Sequence, residues 1–281
     1  MDAHQHFWHY SASELPWMTP AHEPIKRSFL PADLQPLLAA AGLSSCIAVQ
    51  ARQSLQETSF LLGLAEQHDF IEGVVGWLDL RAEPAELAAQ LERYGRHPKL
   101  VGVRHVLHDE PDELFMLQDS FRRGIAALGP AGLTFDLLLF PQHLQPALKL
   151  AREFPQQRFV LDHIGNPSIS GQVGAEQAGC WLADLQALAA CPNVHCKLSG
   201  MVTKARWRQW QEADFRPFLD AVKEAFGPER LMVGSDWPVC LLAADYEEAI
   251  DIVRRWAEAA LSAEEAEGVM GKNARAFYKK R

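Results

Sequence analysis

Two kinds of segment alternate along the chain: short apolar runs, and longer runs whose apolar residues recur at helical spacing. The short runs are rich in Val, Ile, Leu and Phe, which is typical of strands buried on both faces of a parallel sheet. They predict strands at 2–6, 45–50, 73–79, 100–105, 133–140, 158–163, 193–199 and 231–236. The longer runs predict helices at 31–41, 55–68, 84–94, 114–128, 144–154, 177–190, 207–226 and 246–259, then two short helical segments. Asp214 and Pro217 are the points at which the seventh helix would divide.

This alternation predicts repeated βαβ units and an all-parallel sheet. Such a sheet is either open and doubly wound or closed into a barrel. Eight repeats without a glycine-rich nucleotide turn after any strand favour a (β/α)8 barrel, the TIM barrel. No linker, low-complexity tract or helical repeat divides the chain, so we expect a single domain over residues 1–281.

Composition and charge narrow the class of protein. The chain has 48% hydrophobic and 22% charged residues, the ordinary balance of a globular protein. A net charge of −9 argues against nucleic acid, whose binding needs a basic face. No apolar run approaches the ~20 residues of a membrane span, and the first residues do not resemble a signal peptide. The five scattered cysteines contain no CxxC pair, which is typical of reduced thiols in a cytoplasmic protein.

Polar residues follow the predicted strands at their carboxyl ends. In TIM barrels these ends meet at one mouth, where the active site lies. His4 and His6 are two residues apart on a strand and therefore point to the same face. The other polar ends carry Gln50, Arg52, Trp77, Asp79, Arg104, His105, Asp162, His163, Lys197, Ser199 and Asp236. This much polarity predicts a polar pocket; the alternative for Asp79, Asp162 and Lys197 is ion pairs that fill the barrel.

Four of these residues share a chemistry. Three imidazoles and one carboxylate, from His4, His6, His163 and Asp236, can bind one divalent ion, or can polarise a carbonyl and accept a proton without it. Asp236 is well placed to take a proton from water. The alternative is a helix N-cap, which Pro238 disfavours. The histidines at 9, 22, 68, 97, 143 and 195 are expected on the surface or in the core, and His108 is unassigned.

Several segments together resemble one family. They are DAHQHFW at 2–8, VQAR at 49–52, GW at 76–77, GVRH at 102–105 with DE at 109–110, LDHIG at 161–165, CKLSG at 196–200, GSDWPV at 234–239 and GKNA at 271–274. The chain resembles the amidohydrolase superfamily, in its branch of sugar lactonases. The likeness runs nearly from end to end.

The resemblance implies a (β/α)8 hydrolase that opens a sugar lactone, such as L-fucono-1,5-lactone or L-rhamnonolactone, to the aldonic acid. His4, His6, His163 and Asp236 match its central constellation. Asp236 would activate water, while the histidines stabilise the oxyanion directly or through one ion. The sugar would be held by Arg52, Trp77, Arg104, His105 and Lys197.

Two departures from the metal-rich members of the superfamily limit the metal. The fifth strand ends in Leu139 and Phe140, where those members carry a metal-binding histidine. No lysine ends the fourth strand to be carbamylated. We therefore expect at most one divalent ion, such as zinc, held by His4, His6, His163 and Asp236. The resemblance to this branch, whose members can work without a metal, implies that the ion is dispensable for activity.

Three other functions stay open. A lactonase for pyrone dicarboxylates would need several converging arginines, and Arg52 and Arg104 are the obvious candidates. A decarboxylase on the same barrel would need a tightly held zinc ion. A barrel that binds sugars without catalysis is the non-enzymatic alternative. A sugar lactone is the favoured small-molecule partner, with neither nucleic acid nor membrane as a partner and the oligomeric state unassigned.

Overall fold

The apolar segments form parallel strands that lie side by side in chain order, from β1 to β8. The structure is a computed structural model and describes residues 1–169 and 175–280. The strands are β1 Asp2–Gln5, β2 Cys46–Val49, β3 Ile71–Gly76, β4 Leu100–Val106, β5 Thr134–Leu138, β6 Phe159–Leu161, β7 Val194–Leu198 and β8 Leu231–Val233. Most end before the predicted strand does, because the polar residues at their carboxyl ends leave the ladder to form loops.

Helices connect the strands, as the alternation predicts. They are α1 Pro31–Ala40, α2 Leu55–Gln67, α3 Pro84–Tyr94, α4 Asp119–Leu128, α5 Leu144–Glu153, α6 Ala175–Ala189, α7 Glu212–Phe226 and α8 Tyr246–Ala260, followed by α9 Ala263–Glu267 and α10 Asn273–Tyr278. None of the helices in the described ranges is long and apolar enough to cross a membrane.

Two helix predictions begin too early. In the segment predicted from 114, residues Phe115–Leu117 form a 3-10 turn and α4 begins at Asp119. In the segment predicted from 207, Arg208 has a φ of 58°, which a helix cannot contain, so α7 begins at Glu212. The helix then continues through Pro217 without dividing.

The barrel closes between β1 and β8. The amide of Asp236 donates to the carbonyl of His4 over 2.8 Å, and the amide of His6 donates to the carbonyl of Trp237 over 2.7 Å. Gln5 and Trp237 form a parallel bridge at the same seam. The closed (β/α)8 barrel is thereby confirmed, and the seam places His4 and His6 beside Asp236.

The amino-terminal end of the barrel is filled by apolar side chains and covered by α10. One buried cluster combines strand residues, Ile47 and Val75 among them, with Phe277 and Tyr278 of α10. The hydroxyl of Tyr278 reaches further in and donates to Oδ2 of Asp136 over 2.8 Å. The interior therefore changes from apolar at the covered end to charged towards the open mouth.

Candidate active site

The carboxylate of Asp2 ties the first strand to the segment after β8. It accepts hydrogen bonds from the amides of His4 and Ser235, both over 3.0 Å, and from the hydroxyls of Ser235 and Tyr246 over 2.5 and 3.1 Å. A fully buried carboxylate is stable only when such donors surround it. This junction fixes the backbone on either side of His4 and Asp236.

The structure brings together the four residues of the predicted constellation. One carboxylate oxygen of Asp236, Oδ1, lies 3.3 Å from Nε2 of His6 and 3.8 Å from Nε2 of both His4 and His163. All four side chains are buried. Three imidazole nitrogens therefore surround one carboxylate oxygen at the mouth of the barrel.

The backbone that presents two of these residues adopts a left-handed conformation. His163 and Asp236 have φ values of 54° and 60°, which non-glycine residues rarely adopt and which tend to occur at functional sites. Close packing around them needs glycine. A Cβ at Gly200 would lie 2.5 Å from Nδ1 of His163, and a Cβ at Gly234 would lie 2.7 Å from Cβ of His4. The glycines of the CKLSG and GSDWPV segments thus make room for the imidazoles.

Hydrogen bonds on the far side of two imidazoles orient their rings. Nδ1 of His6 lies 2.8 Å from the carbonyl of Val49; because a carbonyl can only accept, this nitrogen carries a hydrogen. Nδ1 of His163 pairs with the hydroxyl of Ser199 over 2.8 Å. Both rings therefore present Nε2 to Asp236, an arrangement typical of histidines that bind metals or move protons.

A buried network of charges lies beneath the constellation. The ammonium of Lys197 donates to Asp136 over 2.6 Å and lies 2.9 Å from Oδ1 of Asp162. Nη1 of Arg104 donates to Oδ2 of Asp162 over 3.1 Å and also lies 3.2 Å from Nε2 of His4. Two cations and two carboxylates balance in the interior, as buried charges require.

Burial and these neighbours set the protonation states. Burial lowers the pKa of His4 well below its usual value and lowers that of His163 to about 4. Burial alone would raise the pKa of Asp236, but the neighbouring His163 and the hydrogen bond with His6 hold it well below its ordinary range. At neutral pH the site therefore contains an ionised carboxylate beside neutral His4 and His163.

A cavity of about 470 Å³ opens above this group. Its lining combines polar and charged side chains with aromatic and apolar ones. The lining residues are His6, Trp8, Trp17, His22, Ala51, Arg104, Val106, His108, Asp109, Leu138, Phe140, His163, Asn166, Thr203, Lys204, Trp207, Asp236, Val239 and Leu242. Polar groups beside flat aromatic faces suit a small ring that carries hydroxyl groups.

Of the five residues predicted to hold the sugar, Arg104 lines this cavity and the other four do not. Lys197 is completely buried in the charge network. Its position therefore matches the alternative interpretation, in which it belongs to an ion pair that fills the barrel. Arg52 lines a neighbouring cavity, where its guanidinium pairs with Glu57 over 2.6 Å and also with Glu14.

The side chain of His105 and the backbone of Trp77 have partners outside this cavity. Nε2 of His105 bonds to Glu110 over 2.7 Å, and its ring stacks on Phe115 with the centroids 5.0 Å apart. The backbone amide and carbonyl of Trp77 both bond to the hydroxyl of Thr58. Among these five predicted residues, Arg104 is therefore the one whose position allows contact with a molecule in the cavity.

Several polar residues that line the cavity were not predicted as site residues from the sequence, among them His22, His108, Asn166, Thr203 and Lys204. His108 stacks on Phe140 with the centroids 4.4 Å apart, and the ammonium of Lys204 lies 5.2 Å from the centre of the same ring. His22, expected on the surface or in the core, also lines the cavity. His108 and Lys204 could have been found from their position in the sequence, because they lie in the loops that follow β4 and β7. Such loops form the active sites of TIM barrels.

The constellation also suits a single metal ion. His4, His6 and Asp236 offer ligand atoms that all lie within 4.8 Å of one another, as do His4, Asp162 and His163. The hydrogen-bonded Nδ1 of His6 leaves Nε2 as the ligand, the usual outer-sphere arrangement of metal-binding histidines. Imidazole and carboxylate donors suit zinc. The chain can therefore hold one divalent ion at this position.

Comparisons with known proteins agree with the geometry. An L-fucono-1,5-lactonase of Burkholderia multivorans (strain ATCC 17616 / 249) is 44% identical over 99% of this chain and 95% of its own length. A second L-fucono-1,5-lactonase, from Burkholderia ambifaria, is 36% identical over 99% of this chain and 95% of its own length. The resemblance to sugar lactonases is therefore confirmed.

Solved structures and a family model extend the match. Two crystal structures of an amidohydrolase from Burkholderia multivorans, one with bound HEPES and one with bound zinc, superpose with TM-scores of 0.95 and 0.94. Each is 43% identical and covers 100% of this chain and 99% of its own. The model of a family described as amidohydrolase matches residues 1–280. The chain therefore belongs to the amidohydrolase family.

Proposed function

We propose that this chain, a lactone-hydrolysing enzyme of the amidohydrolase family, opens a sugar 1,5-lactone of the L-fucono type to the aldonic acid. One observation carries the proposal: the carboxylate of Asp236 lies among three imidazoles on the floor of a cavity that three tryptophans help to line. The 44% and 36% identities to L-fucono-1,5-lactonases favour this sugar series.

Asp236 acts as the general base. The three imidazoles surround its Oδ1, so we assign Oδ2 to a water molecule in the cavity. Oδ2 accepts a proton from this water as the oxygen attacks the lactone carbonyl. A positioned base contributes ~10²–10⁴ to the rate. The low pKa of Asp236 keeps it ionised at neutral pH.

Arg104 and His163 stabilise the negative charge that develops on the carbonyl oxygen. Arg104 carries a fixed positive charge at the floor of the cavity, and its Nε has no partner among the described residues. His163 can present a hydrogen at Nε2 when the hydroxyl of Ser199 donates to its Nδ1. Losing one such donor costs ~2.7–4 kcal/mol in comparable sites. An ion held by His4, His6 and Asp236 would add positive charge near the carbonyl when bound.

Lys204 and His108 bind the far side of the sugar. Nδ1 of His108 is buried without a partner in the described part of the chain, and burial lowers the pKa of this imidazole to about 3. A neutral imidazole with an unpaired nitrogen is suited to a sugar hydroxyl. The ammonium of Lys204 can donate a proton to the ring oxygen when the bond from the carbonyl carbon to that oxygen breaks. Solvent then returns a proton from Asp236 to Lys204.

The aromatic walls account for a sugar ring rather than a dicarboxylate. Trp8, Trp17 and Trp207 line the cavity and offer flat surfaces for the apolar face of the ring. Recognition of two carboxylates calls for several converging arginines. Arg52, one of the two candidates in the sequence, lies outside this cavity, so the geometry gives the pyrone-dicarboxylate alternative no further support.

A panel of aldonolactones tests the proposal by acid release in a pH-indicator assay. L-fucono-1,5-lactone should be opened fastest, followed by L-galactono and D-arabinono lactones that share its ring stereochemistry. L-rhamnonolactone, 2-pyrone-4,6-dicarboxylate and a dihydroxybenzoate serve as controls for the alternatives. A panel in which no sugar lactone opens faster than with the Asp236→Asn variant would refute the proposal.

A further inference from the structure

The guanidinium of Arg104 and Nε2 of His4 are 3.2 Å apart. A guanidinium only donates hydrogen bonds, so Nε2 must accept and its single lone pair is directed at Arg104. Nδ1 of His4 then carries the hydrogen and faces Oδ1 of Asp162 at 3.3 Å. Nζ of Lys197, which also only donates, lies 3.1 Å from the same Nδ1, but it already has carboxylate oxygens of Asp136 and Asp162 as acceptors within 2.9 Å. The hydrogen of His4 is therefore assigned to Nδ1, beside Asp162, and the lone pair to Nε2, the nitrogen that faces Arg104 and Asp236.

The same nitrogen is the atom that a metal ion would need. Nε2 of His4 faces Asp236, and with Nε2 of His6 it belongs to the group that can hold an ion. An imidazole nitrogen has one lone pair, so it cannot bind a metal and accept from Arg104 at once. Binding an ion through His4 requires the guanidinium to withdraw.

Arg104 is not free to withdraw at low cost. It is 3% exposed, donates to Oδ2 of Asp162 over 3.1 Å and donates to the carbonyl of Gln50. Moving it would leave these buried acceptors without a donor, which is unfavourable. The fully buried ammonium of Lys197 lies 3.1 Å from Nδ1 of His4, so a second positive charge also opposes a divalent ion here.

We propose that Arg104 competes with divalent metal ions for His4 and thereby keeps the zinc affinity of this site low. The guanidinium supplies a permanent positive charge beside His4. Zinc binding can be measured without a lactone, so this inference and the proposed substrate can fail independently.

Zinc affinity of the metal-free protein tests the competition. Protein stripped with a chelator and then freed of it is titrated with ZnCl₂ against a chromophoric chelator, for wild type and for Arg104→Met. We expect the variant to bind zinc with a Kd at least about tenfold lower, since second-sphere changes alter metal affinity by about 10–100-fold. Arg122→Met, at an exposed ion pair with Glu153, is the matched control and should keep the wild-type Kd.

A double-variant cycle separates competition for the lone pair from simple charge repulsion. The zinc affinity of His4→Ala is compared with that of the double variant His4→Ala/Arg104→Met. The second substitution should give no gain in affinity, and the absence of measurable zinc binding by both proteins counts as no gain. A gain of equal size with and without His4 overturns the proposal, and so does an unchanged Kd in Arg104→Met. Circular dichroism checks folding; Arg104→Gln, which can still donate to Asp162, serves if the methionine variant does not fold.

Discussion

Tyr278 donates a hydrogen bond to Asp136 over 2.8 Å, although 142 residues separate them in the chain. Asp136 in turn accepts from Lys197, which lies 2.9 Å from Asp162, and Asp162 contacts both Arg104 and His4. The last helix of the described chain is therefore connected, through buried polar contacts, to the floor of the active site.

Replacing Tyr278 by Phe should destabilise the fold. Burial raises the pKa of Asp136 to about 6, and its Oδ1 already lacks a partner among the described residues. Loss of the hydroxyl leaves a buried carboxyl with Lys197 alone, at a cost of about 1.5–3 kcal/mol. Urea unfolding measures the change. Tyr94→Phe, whose hydroxyl bonds to the neutral Ser59, should cost less, about 0.5–1.5 kcal/mol; equal stability of Tyr278→Phe and wild type would contradict the prediction.

Replacing Asp236 by Asn should preserve the fold and reduce kcat for lactone opening by about 10²–10⁴. The amide keeps the shape of the side chain but cannot accept the proton of the attacking water. Initial rates of acid release measure the loss, and thermal unfolding checks the fold. Asp119→Asn, at an exposed carboxylate of α4, should retain full turnover. An Asp236→Asn enzyme with wild-type kcat would remove this residue from the role of base.

Replacing His108 by Phe should raise KM more than it lowers kcat. Phe keeps the stacking on Phe140 but removes the unpaired Nδ1 that we assign to a sugar hydroxyl. Losing one hydrogen bond to a neutral partner corresponds to about 0.5–1.5 kcal/mol, or roughly a two- to twelvefold higher KM. Steady-state kinetics with L-fucono-1,5-lactone measure both constants. The matched replacement His9→Phe, at an exposed position, should change neither; the same result for His108→Phe would show that no hydroxyl binds there.

The barrel and the central constellation could be predicted because both follow from short-range pattern. Apolar strands alternate with amphipathic helices, and parallel strands in a barrel end at one mouth. His4 and His6 share a strand face because they are two residues apart. Asp236 follows the strand that closes against β1. To predict that His4, His6 and Asp236 lie close together, it was therefore enough to know the fold and the residues at the strand ends.

The substrate-facing residues were harder to predict because strand ends alone do not give side-chain direction. Arg104 and His105 are consecutive on β4 and so face opposite sides: Arg104 contacts Asp162 inside the barrel and His105 contacts Phe115 outside. Asp162 and His163 are also consecutive, but they do not alternate between the two faces of the sheet, because a φ of 54° at His163 turns the chain as the strand ends. Lys204 and His108 depend on loop conformations that hydrophobic patterns do not encode.

Stability should fall between pH 6.5 and pH 4 in part because of His195. Burial, with the nearby charges of Arg230 and Arg158, lowers the pKa of this imidazole to about 4, against about 6.5 in an unfolded chain. Between these values the unfolded chain binds a proton that the folded protein excludes, so stability is lost as the pH falls. The decrease from pH 7 to pH 5 in urea unfolding should be roughly 1–2 kcal/mol smaller in His195→Gln. His9→Gln, at an exposed position, should follow wild type, and a His195→Gln protein that does so too would contradict the assignment.

Removing metal ions should leave lactone hydrolysis nearly unchanged. Arg104 already carries positive charge at the floor of the cavity and holds the lone pair of His4, so polarisation of the carbonyl does not depend on a bound ion. We expect kcat/KM after exhaustive chelation to stay within about twofold of the untreated enzyme, a difference in free energy below about 0.5 kcal/mol. Metal content measured by atomic emission verifies the removal. The Arg104→Met variant supplies the contrast: without the guanidinium, its residual activity should depend on added zinc. If the wild-type enzyme instead loses its activity on chelation and regains it with zinc, the ion and not Arg104 provides the positive charge that the reaction needs.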